Sequence, residues 1–304
     1  MNIVLTGSIS NIGRPLTEEL VKKGHDVTVI TSKSERKNAI VALGAKAAVG
    51  SMFDVDFLST VFTGADIVYL METIDAVGGD MMDAKVDFIG GISQIGNNYK
   101  SAVERSGVKR VVHLSSIGAN MDKGNGFLIF HHNVENILKR LPEDVFIKFM
   151  RPVGFYTNMF SFINNIKTKG TIISNYGGDQ KEPWVAPSDI AAVIAEEMEK
   201  PFSGRTVRYI ASDEISPNEI AAALGKVIGK PDLKWIVIPD EELLNGWLNI
   251  GFNPQIAHGF VEMQASQGSG LLYEDYYLNK PVLGKVKLED FAAEFAAAYQ
   301  QEKT

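Results

Sequence analysis

Apolar positions along the first half of the chain follow two rhythms. Short, nearly continuous runs rich in β-branched residues occur at 3–6, 27–30, 47–49, 67–70, 110–114 and 146–151. Unbroken apolar runs suit strands buried on both faces of a parallel sheet. Between them, apolar residues recur at helical spacing over roughly 12–23, 33–43, 55–62, 89–106 and 131–141. This alternation predicts βαβ units and an α/β fold, a Rossmann-type doubly wound parallel sheet. The first helix is specified best: Ile12, Leu16, Leu20 and Val21 share one face, Pro15 is confined to a first turn, and Gly24 stands where a helix-ending glycine belongs.

Beyond Arg151 the rhythm breaks. Residues 170–187 read as loop, 189–200 as helix, and 207–210 and 235–238 as strands. Ser216-Pro217-Asn218-Glu219 is a capping box with proline at the first helical position, opening a helix that ends near Gly229. Residues 288–301 form a last amphipathic helix with Phe291, Phe295 and Ala298 on one face. The expected organisation is a nucleotide-binding region over 1–152 and a smaller α/β substrate region over 153–304, parts of which can rejoin the first sheet.

Composition narrows the chemistry. The 304 residues contain no cysteine, which excludes disulfides, thiolate metal sites and cysteine nucleophiles. The net charge is −7 and no basic patch marks a nucleic-acid surface. No run of about 18 apolar residues is present to span a membrane. The opening Met-Asn-Ile-Val-Leu-Thr-Gly has no signal-peptide pattern, so a cytoplasmic location is expected.

The strongest chemical signal is Thr6-Gly7-Ser8-Ile9-Ser10-Asn11-Ile12-Gly13, lying between a strand and a helix. That is the setting of a dinucleotide fingerprint. Gly7 suits the tight turn and Gly13 the close packing of helix on sheet. The helix N-terminus favours a pyrophosphate. Ser10 replaces the usual middle glycine; its side chain either crowds the phosphates or donates a hydrogen bond to them. The second strand ends in Thr31-Ser32-Lys33, where an NAD site wants an acidic residue. Hydroxyls with a cation favour the 2′-phosphate of NADP; Glu35 keeps NAD as the alternative.

The ordered set of the Thr6–Gly13 turn, Gly64-Ala65-Asp66-Ile67-Val68-Tyr69-Leu70, residues 106–116, Arg151-Pro152, Asp189-Ile190-Ala191 and residues 216–222 resembles the NmrA-like, atypical branch of the short-chain dehydrogenase/reductases. That branch includes quinone reductases, triphenylmethane reductase and NADP(H)-sensing regulators. The resemblance implies that Gly7, Ser10, Asn11, Ile12 and Gly13 meet the pyrophosphate, and Thr31, Ser32 and Lys33 the adenosine end. It further implies that Leu70 and Met71 flank the adenosine ribose, Leu114 and Ser115 approach the nicotinamide, and Pro152 and Val153 lie beyond it.

Two departures matter. The aspartate that often follows a glycine after the third strand is Ser51 here, with Asp54 the nearest substitute. The Tyr-x-x-x-Lys acid of carbonyl reductases, expected about fourteen residues past the serine of the fifth strand, falls on Phe130 and Val134. Neither can move a proton. His131 and Glu135 are i, i+4 on one helix face, and a similar His-x-x-x-Glu occurs in the quinone and dye reductases, so His131 and Ser115 are the catalytic candidates. His132 points about 100° away, against a two-histidine metal site. Phe155, Tyr156, Met159, Phe160 and Phe162 are read either as core or as an apolar wall, to which Trp184 and Trp247 are candidate additions. The leading expectation is an NADPH-dependent reductase of a flat, apolar, quinone-like or otherwise unsaturated aromatic small molecule. The alternative is a non-enzymatic NADP(H) sensor with a regulatory protein partner.

Overall fold

In the computed structural model, which describes residues 1–301, the chain lays down twelve strands and thirteen α-helices among the described residues. The first part comprises β1 (Asn2–Leu5), α1 (Gly13–Lys22), β2 (Asp26–Thr31), α2 (Lys37–Ala42), β3 (Lys46–Val49), α3 (Val55–Phe62), β4 (Ile67–Leu70), a single-turn α4 (Ile74–Val77), α5 (Phe88–Ser106), β5 (Arg110–Leu114), α6 (Ile129–Leu138) and β6 (Phe146–Pro152). There follow β7 (Gly154–Phe155), α7 (Ile163–Lys169), β8 (Ile172–Ser174), β9 (Glu182–Val185), α8 (Pro187–Glu199) and β10 (Arg205–Ile210). The chain continues through β11 (Asp213–Ile215), α9 (Pro217–Val227), β12 (Trp235–Val237), α10 (Asp240–Asn249), α11 (Pro254–Ser269), α12 (Glu274–Leu278) and α13 (Leu288–Gln301).

Seven strands form one sheet in the order β3-β2-β1-β4-β5-β6-β10, each neighbouring pair parallel. Strand order reverses at β1, which pairs with β2 on one side and β4 on the other. Loops leaving such a reversal diverge and open a crevice at the carboxyl ends of the strands, where α/β proteins bind ligands. Alternate residues feed two cores. Leu5, Tyr69, Val112 and Met150 pack with α1 and α8 on one face. Val4, Leu70, Val111 and Phe149 pack with α3, α5 and α6 on the other. Chain from beyond residue 152 completes this body, since α8 packs on α1 and β10 pairs with β6.

The remaining chain builds a third core from α7, α9 and α13, with Tyr156, Ile166, Leu224, Trp235 and Phe295 at its centre. Two small sheets, β11-β9-β7 and β12-β8, support it. The 170–187 stretch read as loop therefore carries β8 and β9. Strands of three and four residues, one containing Pro183, carry too little alternation to be read locally. Ser216 forms both bonds of the expected capping box with Glu219. α11 lies tightly over the approach to α6: a Cβ on Gly126 would stand 2.0 Å from the carbonyl oxygen of Gly259. Helix α11 thus packs over the loop that follows β5.

Candidate active site

The Thr6–Gly13 turn leaves β1 as its motif requires. Gly7 has φ +85°, a left-handed conformation that only glycine takes freely. Gly13 is pressed so closely that a Cβ would stand 2.0 Å from the Ser8 carbonyl oxygen. Ser10 resolves its own ambiguity: its Oγ accepts the Gly13 N–H at 3.2 Å and its carbonyl accepts the Arg14 N–H at 3.0 Å. It therefore caps the start of α1 while its own hydroxyl proton stays available to a phosphate oxygen. Ser10 and Asn11 are exposed, whereas Ile12 and Gly13 are buried and present backbone at most. Glycine at the turn, a free hydroxyl and a helix start fit a pyrophosphate.

The adenosine end differs from expectation in one residue. Thr31 is buried and its Oγ1 accepts the Ser8 hydroxyl at 3.0 Å, so it faces the turn rather than solvent. Ser32 and Lys33 are exposed. Asp54 is no substitute for the missing aspartate, because its Oδ1 caps α3 by accepting the Phe57 N–H at 2.9 Å.

At the end of β4, Leu70 is wholly buried in the α5-side core, so its side chain presents no surface to a ribose. Met71 is partly exposed. Its backbone is pinned by the Thr6 hydroxyl, which accepts its N–H at 2.9 Å, and by Tyr99, which donates to its carbonyl at 2.7 Å. Its thioether lies over Gly7, 1.8 Å from where a Cβ would be. Farther along the crevice, Leu114, Pro152 and Val153 are buried, so side-chain contact with a nicotinamide is not what they supply. The partly buried apolar residues packed against the α1- and α8-side core include Ile9, Met71, Met121, Leu128, Phe155 and Met263. Of the five residues read as wall or core after Arg151-Pro152, Phe155 alone joins this group; Tyr156, Met159, Phe160 and Phe162 belong to the third core. Trp184 is in that core as well, and Trp247 packs on Phe252 and Phe260.

Phe130 and Val134 are buried against α5, confirming that the proton-donor register has been given to packing. The His131–Glu135 pairing does not form. Glu135 is fully buried and its carboxylate is taken by Arg151 through two bonds of 2.9 and 2.8 Å, by the Ser115 hydroxyl at 2.7 Å and by Lys139 at 3.0 Å. Burial alone would raise its pKa; Arg151, Ser115 and Lys139 overcome this and hold it at about 2. Arg151 continues to Tyr209 and Asp275, each at 3.2 Å. Ser115 has thus committed its proton to Glu135 and keeps only lone pairs.

His131 is kept neutral: burial, aided by nearby His113, lowers its pKa to about 3, and Nδ1 is buried without a partner. An imidazolium acid at neutral pH is therefore unavailable from it. His132 instead fastens the loop after β5, its Nδ1 lying 3.0 Å from the Ala119 carbonyl. His25 Nε2 lies 3.1 Å from the Glu199 carboxylate.

One buried polar pair and one buried polar cluster escaped sequence reasoning. His113 on β5 meets Glu72, which follows β4, with Nε2 at 3.1 and 3.2 Å from its oxygens and both side chains fully buried. Glu182 on β9 is buried among Tyr176, Trp184 and Tyr273, whose polar groups donate at 3.3, 3.2 and 2.7 Å. Burial outweighs those three bonds and pushes its pKa up to about 7. His113 within an apolar run was the one visible signal; Glu182 lay in the stretch read as loop.

Similarity to known proteins follows the same geometry. The chain is 25% identical over 303 residues, 99% of itself and 100% of the relative, to (4-alkanoyl-5-oxo-2,5-dihydrofuran-3-yl)methyl phosphate reductase of Streptomyces griseus. An NADPH-dependent quinone oxidoreductase from Escherichia coli, solved with NADPH, superposes with a TM-score of 0.77 at 18% identity, covering 96% of this chain and 99% of that one. Triphenylmethane reductase from Citrobacter sp., solved with NADP(H), superposes with a TM-score of 0.72 at 18% identity, covering 97% and 99%. With the NmrA-like family model matching residues 1–288, from the phosphate turn to the start of the last helix, the chain belongs to the NmrA-like family.

Proposed function

We propose that the protein is an NADPH-dependent reductase of small quinone-like or other unsaturated aromatic molecules. The observation that carries this reading is a phosphate turn at the reversal of the sheet together with a proton-donor register filled by Phe130 and Val134, both packed into the core. Ser10, Asn11 and the start of α1 hold the pyrophosphate; Ser32 and Lys33 receive the adenosine phosphate. A bound reduced nicotinamide supplies the hydride.

The chain's own work is positioning and exclusion of water. Ile9, Met71, Met121, Leu128, Phe155 and Met263, each partly exposed against the α1- and α8-side core, are the apolar residues we assign to stacking a flat ring. The Ser115–Glu135–Arg151 network fixes the ends of β5 and β6 behind it. Orientation of this kind contributes up to about 7–11 kcal/mol in favourable cases. An acceptor that yields a phenolate, the conjugate base of an acid with pKa near about 10, needs little help from a protein acid. An alkoxide, far more basic, needs much. The names of the relatives, reductases of a dihydrofuranone, a quinone and a triphenylmethane dye, support unsaturated acceptors over simple carbonyls.

The test compares NADPH oxidation by the purified protein with a quinone and with an aliphatic ketone or aldehyde. Turnover of the quinone with none of the ketone is expected. Turnover of the ketone instead would overturn the reading. Tight NADPH binding with no turnover of any acceptor would favour the sensor.

A further inference from the structure

Ser8 is the one non-glycine among the described residues with a left-handed backbone, at φ +60°. Glycine would take that conformation freely and serine does not. Its hydroxyl is buried and donates to Thr31 Oγ1 at 3.0 Å, while its N–H donates to the Ile30 carbonyl at 3.0 Å. Thr31 in turn accepts the Lys33 N–H on the same Oγ1, at 3.2 Å. A chain of hydroxyl bonds thus runs from the phosphate turn to the backbone of Lys33. Lys33 sits at φ −107°, ψ 108°, the extended residue before the 3₁₀ turn Ser34–Arg36. The Thr31 hydroxyl accepts from Ser8 and from the Lys33 N–H and donates its own proton to the Lys33 carbonyl at 3.4 Å, so the Ser8 bond bears on the same oxygen that sets the backbone course through Lys33.

We infer that Ser8 and Thr31 are positioning residues for cofactor selectivity: Ser8, through Thr31, sets the direction in which Lys33 leaves the sheet and so its reach to the 2′-phosphate. Neither side chain touches the nucleotide. The inference rests on the proposed role of Lys33, and the test separates the two.

Dissociation constants for NADPH and NADH are measured for wild type, Lys33→Ala, Ser8→Gly, Thr31→Val and Thr31→Ser. Ser8→Gly suits the left-handed backbone and removes the hydroxymethyl side chain; Thr31→Val is nearly isosteric. Both are expected to weaken NADPH several-fold and NADH less than twofold. The Ser8→Gly/Thr31→Val double variant should lose no more than either alone, because the two act as one unit. Thr31→Ser should retain wild-type preference. Equal weakening of both nucleotides, or no change in either, would overturn the inference. If Lys33→Ala leaves the NADPH-to-NADH ratio unchanged, it is the Lys33 reading that fails.

Discussion

A methyl group added to Gly13 would stand 2.0 Å from a backbone oxygen that cannot swing away. Gly13→Ala must therefore open the turn or push α1 off the sheet. The expected stability loss is on the order of 1–3 kcal/mol, with NADPH binding lost in the same variant. Gly246→Ala is the control: its Cβ meets nothing within 4 Å and it lies within α10, so stability should hold or rise by about 0.5–1 kcal/mol. Thermal unfolding and nucleotide titration of the two variants check both halves. At this scale the turn was legible because its residues are contiguous and each has a local geometric duty. The fate of Glu135 was not. Spacing placed it on one face with His131, but its partner Arg151 lies sixteen residues away on another element, and long-range pairing leaves no periodic trace.

Among elements, those with a full period were readable. The strands at Ile67–Leu70 and Arg110–Leu114 and the helix Val55–Phe62 fall where the pattern put them. β8, β9 and the helices α10–α12 did not announce themselves, since their buried faces are made by tertiary contacts rather than by a regular stripe. β9 nonetheless carries a testable property. Glu182 has its pKa raised from 4.5 to about 7, so the folded state binds its proton more tightly than the unfolded chain does. Its stabilising contribution is complete below pH 4.5 and fades as pH rises through about 7. His131, lowered from 6.5 to about 3, acts oppositely: its contribution is present above pH 6.5 and is lost as pH falls toward 3. Glu182→Gln removes only the first slope. The stability difference between wild type and this variant should fall by at most about 3 kcal/mol between acid and neutral pH. Denaturant midpoints across that range measure it; a pH-independent difference would contradict the burial argument.

For the whole molecule, the sheet reversal at β1, the phosphate turn above it and the roof formed by α11 place one crevice at the carboxyl ends of the strands. The sequence-level expectation of a doubly wound sheet follows from the alternation alone. That β10 and α8 return to complete it could be allowed but not located, because parallel pairing gives no local signal of its partner. The proposed chemistry depends on this crevice holding NADPH. The most direct measurement is thermal unfolding with increasing NADPH and, separately, NADH. At a hundredfold excess over its dissociation constant, NADPH should stabilise the fold by about 2.7 kcal/mol, a shift of several degrees. NADH, lacking the phosphate that we assign to Lys33, should shift it clearly less at equal concentration. No shift with either nucleotide would contradict the account at its centre.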